Sequence, residues 1–244
     1  MIDQYHPHLH WIDGKKKVFT ELLESWVNIH SGTDQQEGLS KMLHALEASF
    51  KVLDGQMEAI SLPARKMLTK NGKIIEEPLG QALLVAKRPE APIQVLLGGH
   101  MDIALSRTQA LKKCIIKNHQ TLIGRGSVDM KAGLLILLTA LTSLEQSPFA
   151  GRIGWQVLIS PDEEVGSPGS QPLWIKLCKG KKLALIFEPS FPDGHLVSAR
   201  KGSANYTLAI QGKAAHAGRS FHEGENAILS AARFALAAES LNDF

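Results

Sequence analysis

Apolar side chains recur at helical spacing through residues 11–30, where Trp11, Val18, Leu22, Leu23, Trp26, Val27 and Ile29 mark one face. The run S-G-T-D at 31–34 punctuates its end. A second amphipathic helix is predicted from Glu37 to about Lys51. Strand-like runs follow at Ala82–Ala86, Ile93–Leu97, Ile153–Ile159 and Leu183–Phe187, and the middle ones are continuously apolar, as suits strands covered on both faces. Ala132–Leu144 is greasy throughout but shorter than the roughly 20 residues that cross a bilayer, so it reads as a buried helix. Strands alternating with helices predict an α/β fold with a mostly parallel sheet sandwiched by helices.

The pattern changes near Arg200. The run A-N-Y-T-L-A-I-Q-G from Ala204 alternates apolar and polar residues and predicts a strand with one open face, and Glu225–Leu241 predicts an alanine-rich amphipathic helix. One strand and one helix cannot bury both their faces, so residues 1–199 read as one domain and 200–244 as an incomplete second one.

Composition narrows the class. The chain has 244 residues, a net charge of +3, 44% hydrophobic and 21% charged residues, which suits an ordinary globular protein and argues against disorder or a strongly basic nucleic-acid binder. Two cysteines, Cys114 and Cys178, make no disulfide framework. The N-terminal residues lack the basic and apolar regions of a secretory signal, so the expected location is cytoplasmic, with no membrane or nucleic-acid partner. H-P-H-L-H at 6–10 precedes any packed element and reads as a mobile polar terminus.

Chemistry concentrates where apolar runs end, which is where open α/β sheets bind ligands. After P-I-Q-V-L-L comes G-G-H-M-D, after T-L-I comes G-R-G-S-V-D-M-K-A-G, after W-Q-V-L-I-S comes P-D-E-E-V-G-S, and after L-A-L-I-F comes E-P-S. These deliver His100, Asp102, Asp129, Asp162, Glu163, Glu164 and Glu188 to one rim. So many carboxylates beside an imidazole, without cysteine, form the ligand set of a catalytic zinc or manganese centre. Asp102 stands two residues beyond His100, placed to hold its other ring nitrogen. Glu163 and Glu164 must point differently, so one can ligate while the other acts as a base in metal-assisted hydrolysis. Alone, H-x-D or D-E-E describes many solvated loops, and it is their conjunction that carries the reading. G-R-G-S-V-D lacks the third glycine of a dinucleotide fingerprint and the G-K-[ST] of a P-loop, which leaves nucleotide binding a weak rival.

Taken in order, G-G-H-M-D, G-R-G-S-V-D-M-K-A-G, P-D-E-E-V-G-S-P-G-S, F-E-P-S and R-K-G-S-A-N-Y-T-L-A-I-Q-G-K-A-A-H-A-G resemble successive motifs of the dinuclear zinc metallopeptidase family. That family includes bacterial glutamate carboxypeptidase, acetylornithine deacetylase, succinyl-diaminopimelate desuccinylase and aminoacylase. The resemblance implies a zinc-exopeptidase-like catalytic domain with two zinc ions, cobalt or manganese being alternatives. It implies that His100 and Glu188 bind one ion, Glu164 the other, and that Asp129 bridges them, with Glu163 the general base and Asp102 orienting His100. It further implies a cis Asp129–Met130 bond, and that His216 of H-A-G reaches a partner's active site across a homodimer. The implied reaction is amide hydrolysis of a peptide or small substrate with a free carboxylate, of carboxypeptidase or N-acyl-amino-acid deacylase type. Glu188 in place of aspartate leans toward those classes over aminopeptidases. One departure is Ile103, where the family usually has threonine.

The family draws one more histidine from a segment after a four-stranded lid, and the sequence reads as ending within that lid. Residues 1–199 are then expected to be the metal-binding catalytic domain without its final segment, and 200–244 the first strand and helix of the lid and dimerisation domain. The rival expectation is a truncated, catalytically impaired remnant that only binds metal.

Overall fold

The computed structural model describes residues 5–69, 71–104, 113–118, 121–202 and 205–242. In chain order the regular elements are α1 (His6–Leu9), α2 (Lys16–Val27), α3 (Gln36–Phe50), β1 (Gln56–Ser61), β2 (Arg65–Leu68), β3 (Ile74–Glu77), β4 (Gln81–Lys87) and β5 (Ile93–His100). There follow β6 (Ile115–Asn118), β7 (Thr121–Ile123), α4 (Ala132–Glu145), β8 (Ile153–Ser160), α5 (Gln171–Cys178), β9 (Leu183–Ile186) and α6 (Ala227–Glu239). They divide between two compact units, one within Met1–Arg65 and Pro78–Val197, the other within Lys66–Glu77 and Ser198–Phe244.

The first unit is built on a five-stranded sheet of order β1-β4-β8-β5-β9. Its pairings are antiparallel for β1–β4 and β4–β8, and parallel for β5–β8 and β5–β9. The sheet is therefore mixed, and the expectation of a mostly parallel sheet holds only for its β8-β5-β9 half. The β1 strand escapes the sequence pattern because four of its six positions are charged, polar or small, and only Met57 and Ile60 are even half-buried.

Alternation along the strands explains the layers. Leu83, Val85, Leu97, Trp155, Val157 and Ile159 pack into one core with Trp26 of α2, Leu39, Met42, Leu43, Leu46 and Phe50 of α3, and Leu134, Leu137 and Leu141 of α4. Their neighbours Ala82, Leu96 and Leu158 face the other way onto Leu177 of α5, with Trp174 beside it. Both faces are covered, which is why these strands read as continuous apolar runs. The helical stretch Ser127–Glu145 is by length and hydropathy sufficient to span a membrane, but 56% of it is buried and its leucines belong to the core. Residues 6–10, expected as a mobile terminus, instead form a short helical segment beside which Tyr5 sits 5.1 Å from the Phe149 ring.

The second unit contains the β2–β3 hairpin and α6. Asn226 caps α6 by accepting from the Leu229 N–H at 3.0 Å. The strand expected over 204–212 is not formed among its described residues, and the isolated bridge nearby, from Lys213 to Glu225, lies just beyond it. Alternation identifies which face of a segment is apolar, but a strand also needs a hydrogen-bonded neighbour.

At the end of the first sheet away from His100, Glu145 gathers three donors. Arg88 grips its two oxygens, Lys87 lies at 2.9 Å, and Trp155 Nε1 donates at 2.9 Å. Burial opposes the charge, but Arg88, Trp155 and Lys87 outweigh it and hold the Glu145 pKa at about 2. A depressed carboxylate pKa contributes stability that is complete above the unfolded value and lost as pH falls through the folded one. Glu145→Ala should cost about 1 to 3 kcal/mol at neutral pH, because it removes the shared anion of the half-buried Lys87 and Arg88 and the acceptor of the Trp155 indole. In denaturant unfolding, its deficit relative to the wild type should shrink below pH 4.5 toward pH 2. A deficit independent of pH across that window would contradict this assignment.

Candidate metal centre

Parallel pairing brings three strand ends to one rim. His100, the last residue of β5, is in register with Ser160 at the end of β8, and Gly98 is in register with Ile186 at the end of β9. The Phe187 N–H extends the β9 ladder by donating to Gly98 O at 2.9 Å, which places Glu188 one residue beyond. Small residues make this rim possible. A Cβ at Gly99 would lie 2.1 Å from the Met130 methyl, and one at Gly133 would lie 1.9 Å from Phe187 O. The first absence lets Met130 close under His100, whose N–H points to its sulfur at 3.0 Å. The second lets the start of α4 approach the chain that carries Glu188.

Asp129 comes from a wide helical turn at Ser127–Lys131, where Asp129 and Met130 depart from helical dihedrals and their peptide bond is cis. The adjoining Lys131 is fully buried, and its ammonium donates to Trp26 O at 2.9 Å and Ile29 O at 2.7 Å, where α2 ends. Carbonyls at a helix C-terminus are natural partners for a cation, so this contact ties the Asp129 turn to α2.

Glu163 and Glu164 open a single 3-10 turn, Glu163–Val165. Asp162, which the sequence had assigned to the rim with the other carboxylates, is fully buried and turns away from it. Its Oδ2 accepts the N–H groups of Gly169 at 2.8 Å and Ser170 at 3.0 Å, which staples the base of the glutamate loop.

The rim converges on His100 Nε2. From this atom, Asp129 Oδ1 is 3.1 Å away, Glu188 Oε1 3.5 Å and Glu163 Oε2 3.8 Å. Two overlapping sets have donor atoms within 4.8 Å of one another, namely His100 with Glu163 and Glu188, and His100 with Asp129 and Glu164. A tetrahedral ion with bonds near 2.1 Å separates its ligands by about 3.4 Å, so the spacing and the imidazole–carboxylate chemistry fit a divalent cation.

Behind the rim, His100 Nδ1 donates to the Asp102 carbonyl at 2.9 Å, with the Asp102 carboxylate at 3.3 Å. The ring is held from behind chiefly by the Asp102 backbone oxygen, with the carboxylate farther off. The same carboxylate accepts the N–H groups of Glu163 at 3.2 Å and Glu164 at 3.1 Å, and the Thr33 hydroxyl at 2.9 Å. Thr33 was absent from the residues singled out by sequence, because S-G-T-D reads simply as a turn.

Electrostatics match this crowding. Burial works against a charged His100, but the carboxylates of Asp102 and Glu188 prevail and push its pKa up to about 11. Glu163 and Glu164 are both raised, by burial first and then by neighbouring carboxylates, with His100 opposing. The rim therefore calls for positive charge, which a metal ion would supply. His216 lies in the second unit, exposed, and its Nδ1 accepts from the Gly218 N–H at 3.1 Å, which leaves Nε2 to carry the ring proton.

The fold and donor set define an α/β protein with a candidate divalent-metal site at the ends of parallel strands. The profile of peptidase family M20/M25/M40 matches residues 96–240, more than half of the chain, and the chain belongs to that family. It is 28% identical over 222 residues to carboxypeptidase G2 of Pseudomonas sp. (strain RS-16), a match covering 91% of this chain and 51% of that protein. It is 30% identical over 173 residues to succinyl-diaminopimelate desuccinylase 2 of Shewanella loihica, covering 66% and 46% respectively. The chain thus spans about half the length of the curated relatives it matches. Among solved structures, human carnosine dipeptidase 1 shares the fold at a TM-score of 0.62 and 19% identity, over 75% of this chain and 41% of that one. An M20 family metallo-carboxypeptidase from Sulfolobus solfataricus matches at 0.53 and 17% identity, over 72% and 38%.

Gly133→Ala tests the close approach that seats Glu188. In an unconstrained helix, alanine would stabilise by about 1 kcal/mol. Here the overlap with Phe187 O should reverse the sign and cost about 1 to 3 kcal/mol in denaturant unfolding. A stabilised variant would contradict the packing described.

Proposed function

We propose that the chain is the metal-binding part of an amide hydrolase that uses a dinuclear zinc centre, with cobalt or manganese as alternative ions. The reading is carried by the convergence of Asp129, Glu163 and Glu188 on His100 Nε2 at 3.1 to 3.8 Å. In this reading His100 and Glu188 hold one ion, Glu164 the other, and Asp129 both. The first unit is then the catalytic domain and the second belongs to a lid and dimerisation domain. When bound, the ions would supply Lewis-acid polarisation of the scissile carbonyl and lower the pKa of water.

The chain's own residues do the rest. Asp102 holds the proton on His100 Nδ1, so that Nε2 offers its lone pair to the rim. Glu163 takes a proton from water on its carboxylate and hands it to the leaving amine nitrogen. Its raised pKa makes it a stronger base for the first half of that transfer, and the basic amine released as the amide bond breaks draws the proton off in the second. His216, with its proton on Nε2, would donate to the developing oxyanion from a partner subunit in a homodimer.

Relatives named carboxypeptidase and desuccinylase support a substrate that is a peptide or N-acyl amino acid with a free carboxylate. We place the reaction in the cytoplasm, with no nucleic-acid or membrane partner.

Glu163→Gln separates the roles of base and ligand. The variant should keep the zinc stoichiometry of the wild type by elemental analysis, while kcat on N-succinyl amino acids and C-terminal glutamate peptides falls by at least about 100-fold. Unchanged turnover would exclude Glu163 as the base, and loss of zinc would move it into the ligand set.

A further inference from the structure

We infer that Thr33 is a positioning residue for the metal centre: its hydroxyl fixes the Asp102 carboxylate, which in turn sets His100 and the Glu163–Glu164 backbone. The inference rests on the metal-centre reading above and adds to it a residue outside every motif at the strand ends.

Thr33 is 3% exposed and lies in the loop after α2. Its Oγ1 donates to Asp102 Oδ2 at 2.9 Å, an oxygen that also accepts the Glu164 N–H at 3.1 Å. The other oxygen accepts the Glu163 N–H at 3.2 Å and stands 3.3 Å from His100 Nδ1. All four approaches are met only in one orientation of the carboxylate plane. The terminal torsion of aspartate is broad and has little preference of its own, so the neighbours must impose that orientation. Thr33 is the donor among them that belongs neither to the histidine strand nor to the glutamate loop.

The same short segment grips the backbone on either side of Asp102. Ser31 Oγ donates to Met101 O at 2.7 Å, the Ile103 N–H donates to Ser31 O at 3.0 Å, and Gly32 bridges Ile103 in parallel. Residues 31–33 therefore clamp Asp102 at its two flanking peptides and at its carboxylate. Ile103 is itself buried and brings no hydroxyl, which leaves Thr33 as the hydroxyl donor on this carboxylate among the described residues. Freed from Thr33, Oδ2 keeps a single amide donor, the carboxylate turns, and both His100 Nδ1 and the turn carrying the glutamates lose their fixed reference.

The test is the zinc dissociation constant of the whole chain, read by competition with a chromophoric chelator. Thr33→Val should weaken zinc binding by about 10-fold, the lower end of what outer partners of metal ligands contribute, while Thr33→Ser should stay within about 2-fold of the wild type. In an Asp102→Ala background, Thr33→Val should add no further loss, because the acceptor it serves is gone. Equal zinc affinity for the wild type and Thr33→Val would overturn the inference. So would a Thr33→Ser variant as weak as Thr33→Val, since the methyl group and not the hydroxyl would then be responsible. Should Thr33→Val fail to fold by circular dichroism, Thr33→Ser decides alone, with wild-type affinity supporting the inference and a 10-fold loss overturning it. A wild-type chain that binds no zinc at all would instead strike the metal-centre reading.

Discussion

A carboxylate buried as deeply as that of Asp102 is tolerated only when its lone pairs are occupied, and the groups that occupy them define the rim. The Thr33 hydroxyl, the amides of Glu163 and Glu164, and the His100 ring all approach its two oxygens. Three separate stretches of chain are thereby referred to one group of atoms: the loop after α2, the end of β5, and the turn after β8. The side chains that remain free to act, at His100 Nε2 and on the two glutamates, point outward from that common anchor.

Sheet topology makes the anchor reachable. Because β5, β8 and β9 run parallel, His100, the glutamate loop and Glu188 emerge at the same edge, with His100 level with Ser160. The antiparallel strands β1 and β4 extend the sheet on the other side and contribute no residue to the rim. Close backbone approach at Gly133 and the Lys131 contact with the end of α2 then bring in the Asp129 turn. Each of these devices uses residues whose side chains have no reacting role, which is how a scaffold holds a polar site without spending its ligands on packing.

Much of this is legible in the sequence. Strands β4, β5 and β8 and helices α2, α3 and α4 announce themselves because burial on one or both faces leaves a strong apolar signature, and β9 and α6 carry the same apolar pattern although their side chains are largely exposed. His100, Asp129, Glu163, Glu164 and Glu188 follow because they terminate such runs. What escaped was set by pairing rather than by composition. The antiparallel attachment of β1 depends on a partner 20 or more positions away, from Ile60 opposite Ala82 to Gln56 opposite Ala86. The segment after Ala204 alternates like a strand, yet its described residues join no sheet. Asp162 looked like its neighbours, yet its carboxylate staples its own loop, and Thr33 looked like punctuation, yet it meets Asp102 across 69 positions. A residue's type states which bonds it can make, and the fold decides which it does make.

The crowded carboxylates at the rim call for a cation. Asp102 and Glu188 push the His100 pKa up against its burial, and both glutamates are raised, first by burial and then by neighbouring carboxylates. The most direct measurement is anomalous diffraction at the zinc absorption edge from crystals of this chain grown with zinc. An anomalous peak is expected within about 2.0 to 2.2 Å of His100 Nε2 and of carboxylate oxygens from Asp129 and Glu188 or Glu164. Zinc found only elsewhere on the chain, with these side chains unmoved and unliganded, would contradict it.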